Sequence, residues 1–117
     1  MRHLKKLKKL GLNKSHRTSL LRNLVASLVL HEKIRTTENR AKALAARFGR
    51  LMKLIKTKEK REAIRLLPNY CSVKKAGEKL VNELKTKYEN RSSGYTRITR
   101  IGRRTGDNAL LVQIELI

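Results

Sequence analysis

Apolar positions recur along this chain with two periods, and the change from one to the other divides it. Between Ser15 and His31, Leu20, Leu21, Leu24, Val25, Leu28 and Val29 fall three and four apart, the spacing of one buried helical face. Ser15 stands where an N-cap belongs, and His31–Glu32 at the other end reads as a C-terminal cap interaction. A second stripe, Ala41, Leu44, Phe48, Leu51, Met52 and Ile55, predicts a helix over 38–56 with Arg40, Arg47, Arg50, Lys53 and Lys56 on the opposite arc. Thr36 or Thr37 can cap it, with Glu38 in its first turn. A shorter helix over 57–67 stops at Pro68 and Asn69. Another over 72–88 turns Val73, Ala76, Leu80, Val81 and Leu84 inward.

Beyond Tyr88 the period falls to two. From Ala109 to Ile117, Leu110, Val112, Ile114 and Leu116 alternate with Gln113 and Glu115, as in a strand with one face covered. The segment before it, Thr96 to Ile101, is rich in β-branched residues but repeats every three. It therefore mixes buried isoleucines with outward arginines; either a bulge near Thr99 reconciles the two halves or one face is only partly buried. Gly102, Gly106, Asp107 and Asn108 supply turn chemistry, and Lys33 to Thr37 is a short β-prone piece suited to an extra edge strand. The fold class expected is α+β. Helices pack on a small mixed or antiparallel sheet that includes a C-terminal hairpin, in a single globular domain over 15–117 with an extended basic arm over 1–14.

Charge alters this picture most. Thirty Lys and Arg oppose nine Asp and Glu, a formal charge of +21. A compact chain repels itself at such a charge unless a polyanion neutralises it. With 39% hydrophobic residues the chain is nevertheless too apolar for a wholly disordered polybasic protein. The basic excess concentrates at two places. No acid precedes Glu32, and Arg2, His3, Lys5, Lys6, Lys8, Lys9, Lys14, Ser15, His16, Arg17, Arg22 and Asn23 form one candidate RNA-binding set. The second lies between Glu89 and Asp107: Arg91, Tyr95, Arg97, Arg100, Arg103 and Arg104, with no lysine and no acid among them. Arginine offers a planar, permanently charged fork that matches phosphate. The mixed-sign stretch 72–88 should face away from nucleic acid or toward a protein neighbour.

Other chemistry finds no foothold. The single cysteine, Cys71, precludes an internal disulfide and reads as a buried core residue. No phosphate-cradling loop, metal-ligand spacing or paired carboxylates occur, and His3, His16 and His31 lie apart in basic sequence. No catalytic residue, metal, cofactor or small-molecule substrate is expected, nor a homo-oligomer. No apolar run approaches the roughly 20 residues that span a bilayer, and the start lacks the apolar core of a signal peptide, so a cytoplasmic protein without a membrane partner is expected. One phenylalanine and three tyrosines are too few for single-strand binding by stacking. Two dissimilar basic ends suit an irregular folded RNA, read by shape and backbone. A nucleoid-type DNA-binding protein is the runner-up, but no groove-reading helix is recognisable.

The same residues resemble a known family. Met1-Arg2-His3, Ser15-His16-Arg17, Arg22-Asn23, Ser27-Leu28-Val29, His31-Glu32 and Thr36-Thr37 match in order the bacterial-type large-subunit ribosomal protein family numbered seventeen. So do Gly94-Tyr95-Thr96-Arg97-Ile98, Gly102, Gly106-Asp107-Asn108-Ala109 and Ile114-Glu115-Leu116. The resemblance implies a structural, non-enzymatic protein of the large ribosomal subunit, of bacterial or organellar type. It would sit on ribosomal RNA at the exit tunnel's outer surface, with its N-terminal arm buried in RNA and other ribosomal proteins as neighbours.

Overall fold

The computed structural model describes residues 9–117. Helix α1 spans Lys14–His31, and its N-cap is Asn13 rather than Ser15. Asn13 keeps extended backbone while its Oδ1 accepts from the His16 N–H at 2.9 Å, so one orphan amide of the first turn is satisfied. At the far end Glu32 turns into the left-handed region, φ 61°, and its N–H bonds Leu28 O. Its carboxylate reaches Lys79 at 3.0 Å rather than His31, which holds the carboxyl below the usual range. That turn delivers the chain into strand β1, Lys33–Thr37.

Helix α2, Glu38–Thr57, buries every member of its expected stripe: Ala41, Leu44, Phe48, Leu51, Met52 and Ile55. Helix α3, Lys60–Leu66, runs into a 3-10 turn at Leu67–Asn69, where Pro68 prevents further helix. Helix α4, Lys74–Lys79, continues through a π-helical stretch at Leu80–Leu84 into the single turn α5, Lys85–Lys87. Ala76, Leu80, Val81 and Leu84 are buried as expected. Val73 is not, because it lies in extended backbone at the N-cap of α4 and never joins the helical phase.

Strands β2, Thr96–Arg103, and β3, Leu110–Leu116, complete an antiparallel sheet of order β1-β3-β2. The helices cover one face of its central strand, burying Val112 and Ile114 against α1 and α2. Ile34 of β1 and Ile98 of β2 flank Ile114 on that same face. The bulge falls between Arg100 and Gly102, two residues later than expected, and leaves Ile101 without a partner. Ile98 and Ile101 are both exposed, against expectation, because β2 is an edge strand whose side chains extend past the helical layer. Three aromatic rings join the hairpin to the helices. Tyr95 meets Tyr88 edge-on with centroids 5.2 Å apart and Phe48 at 6.3 Å.

Candidate nucleic-acid interface

Strand register decides which cations share a surface. Cross-strand partners place Lys33, Glu115 and Arg97 in one row on the face opposite the helices, and Arg35, Gln113 and Thr99 in the next. Lys33, Arg35, Arg97 and Thr99 are exposed there, so three cations stand against one carboxylate on a shallow sheet face. Arg97 lies 3.9 Å from Glu115, a loose and exposed pair. Such pairs contribute little and yield readily to a phosphate. Lys33 and Arg35 were not among the candidates from sequence. Their signal is a period-two alternation about Ile34, short enough to pass as a linker.

The five hairpin arginines do not act alike. Arg100 lies 3.6 Å from Glu38, which Lys42 also approaches at 3.1 Å; hydrogen bonding to Lys42 is the main reason the Glu38 carboxyl is held low. Arg103 donates to Asn108 O at 3.1 Å and Arg91 to Gly94 O at 3.0 Å, bonds that shape turns without cancelling charge. Arg104 differs. Its Nε and Nη2 donate to both oxygens of Asp107 at 2.9 and 2.6 Å, holding that carboxyl down at about 2. Arg104 is therefore a clamp on the β2–β3 turn, its charge largely answered within the chain.

Tyr95 requires a correction. Among the described RNA-binding candidates it is the one residue with a buried side chain, 5% exposed, packed on Tyr88 and Phe48. Its hydroxyl donates to Arg91 O at 3.0 Å, and Lys56 Nζ donates to the same carbonyl. The ring has no surface to offer a base. Tyr95→Phe is thus expected to lower stability by about 1 kcal/mol through the lost hydrogen bond. Its affinity for large-subunit RNA should stay within about twofold of the parent. Urea unfolding and filter binding on the same preparation check both; weakened RNA binding at unchanged stability would restore the original reading.

At the other cluster, Lys9, Lys14, Ser15, His16 and Asn23 are exposed, while Arg17 and Arg22 are half-buried on α1. Arg17 donates to Leu12 O at 3.4 Å. Arg2, His3, Lys5, Lys6 and Lys8 lie outside the described residues. The basic arc of α2 divides as the hairpin does. Arg47 donates to Asn69 O at 2.7 Å and lies over the Tyr70 ring, whereas Arg40, Arg50 and Lys53 remain exposed.

Cys71 is buried, which pushes its thiol up, and no metal-ligating cluster occurs among the described residues. Nor is any described helix long and apolar enough to cross a membrane.

The family model for ribosomal protein L17 matches residues 20–117. The chain is 42% identical over its full length to the large ribosomal subunit protein bL17 of Syntrophotalea carbinolica, of which it covers 75%. It is 39% identical over 94% of its length to the protein of that name from Desulforudis audaxviator, covering 97% of it. With the one from Mycoplasma capricolum it shares 40% identity over 95% of its length, covering 98% of that protein.

Proposed function

The chain belongs to the ribosomal protein L17 family, with a structural role in the ribosome, and on that premise we propose that it binds and stabilises folded large-subunit ribosomal RNA near the outer surface of the exit tunnel. One observation carries this reading. The sheet's face opposite the helices presents Lys33, Arg35 and Arg97 with a single acid, while Arg100 and Arg103, opposite Val112 and Leu110, are exposed on the other side of the edge strand. A shallow face of that charge fits phosphate backbone rather than base edges, and few aromatics are free to stack. Residues 1–14, Lys9 and Lys14 among them, act as a basic arm on the single domain formed by 15–117, giving a second grip that also involves His16 and Arg17. Protein neighbours in the subunit complete its surroundings, in the cytoplasm or in an organelle with a bacterial-type ribosome.

Ultraviolet cross-linking of assembled large subunits, followed by peptide mapping, tests this. Cross-links to large-subunit RNA are expected from peptides carrying Lys33–Arg35 and Arg97–Arg103, at nucleotides around the tunnel exit. A protein that sediments with the subunit but cross-links only to proteins would overturn the RNA reading. RNA cross-links far from the tunnel would overturn the location alone.

A further inference from the structure

The structure carries a second surface whose chemistry differs from that of the sheet. Arg22 of α1, helix α3, the 3-10 turn and the start of α4 line an open groove of about 590 Å³. Leu67, Cys71, Gly77 and Val81 are buried at its floor. Gly77 keeps it low, since a Cβ there would lie 3.3 Å from Leu67 Cδ1. Ile64 and Val73 also line it and are 51% and 39% exposed, an uncovered apolar pair on one concave surface. The charged lining is Arg22, Lys60 and Lys74 against Glu78. Arg22 enters none of the ion pairs among the described residues, and its Nε is enclosed with no partner.

We propose that this groove docks a segment of a second protein that presents a leucine-type anchor flanked by carboxylates. The aliphatic floor and rim suit the anchor, and the three cations suit its acidic neighbours. Two other occupants fit less well. No aromatic lines the groove, so an inserted base would leave its stack and find no platform in return. The surrounding chain also attracts phosphate least: residues 57–89 hold nine cations against five acids, whereas the remainder holds twenty-one against four. A second copy of this chain would bring like-charged linings together. The groove thus reads as a protein-facing side, independent of the RNA-facing sheet.

The test uses the full chain, labelled with nitrogen-15, and a synthetic peptide of alternating glutamates and leucines at near-physiological ionic strength. Saturable binding is expected, with amide shifts confined to residues 60–82 and to α1 around Arg22. A peptide of equal charge with glycine for leucine should bind at least about tenfold more weakly, and so should the parent peptide to the double variant Ile64→Asp, Val73→Asp. Both side chains are exposed, so the fold should persist; the milder Ile64→Ser, Val73→Ser pair should give a loss in the same direction. Affinity for large-subunit RNA should change less than about twofold in either variant, which separates failure here from failure of the RNA reading. Equal binding by the glycine peptide would overturn the proposal, as would shifts mapping to β2. A uridine hexamer displacing the peptide and shifting the groove amides would make the site an RNA site instead.

Discussion

Replacing Arg97, Arg100 and Arg103 together by glutamine is expected to reduce the salt slope of large-subunit RNA binding by roughly 2 to 3. Each phosphate neutralised by a cation contributes about 0.7 to 0.9 to that slope through released counterions. All three side chains are exposed, and none is locked in a bidentate pair. Glutamine can still donate to a phosphate oxygen but releases no counterion, so the slope should fall even where some affinity survives. Stability should change by no more than about 0.5 kcal/mol, because the carboxylates left behind, Glu38 and Glu115, stay partly exposed and Glu38 keeps its pairing with Lys42. Arg104→Gln provides the contrast. Its charge is spent on Asp107, so it should loosen the turn and leave the slope nearly unchanged. An unchanged slope in the triple variant, read by filter binding across a salt series, would remove the hairpin from the RNA surface.

The distinction between Arg97 and Arg104 was not legible in the sequence, where both belong to one acid-free run of arginines. What separates them is register and turn geometry. The Arg104 partner, Asp107, lies three residues on, outside that run, and comes to 2.6 Å from it as the turn closes. The long amphipathic helices were far more legible. All six stripe residues of α2 are fully buried, because a twenty-residue helix against a sheet has one inward arc and no alternative phase. Local choices were harder. Asn13 and Ser15 are both good caps two residues apart, and only the first reaches the N–H three residues on. The threefold repeat in β2 carries no burial signal, since an edge strand reaching past the helices exposes isoleucine and arginine alike. Tyr95 sits within one of the stretches that carry the family resemblance, yet a pattern match does not tell an aromatic that meets RNA from one that holds the hairpin to the core. Lys33 and Arg35 escaped for a related reason: five residues are too few for alternation to stand out.

Phe48→Ala is expected to cost about 3–5 kcal/mol, the largest loss of stability from any single truncation considered. Phe48 is fully buried, and its ring lies in a T-shaped contact with Tyr95, which in turn packs on Tyr88. The hole would therefore open where α2, the end of the α4–α5 helix and the entry to β2 converge. Relaxation is restricted at that joint. Tyr88 Oη donates to Ile117 O, Tyr95 Oη to Arg91 O, and the Ile117 N–H to Tyr95 O, each at 3.0 Å, so neither tyrosine can move in without breaking a hydrogen bond. A domain of this size holds only about 5–15 kcal/mol in all, so the variant should unfold at markedly lower urea with an unchanged m-value. Phe48→Leu, which keeps most of the volume, should cost less than about half as much. Ile101→Ala, at the exposed bulge, should cost under about 0.5 kcal/mol. If Phe48→Ala lost no more than Ile101→Ala, the aromatic trio would not be what fixes the hairpin to the helices. The arginines of β2 would then owe their placement to the sheet's hydrogen bonds alone. With the expected ordering, the geometry of the arginine-bearing hairpin is set from within the core, and a core variant should weaken RNA binding without removing one surface charge.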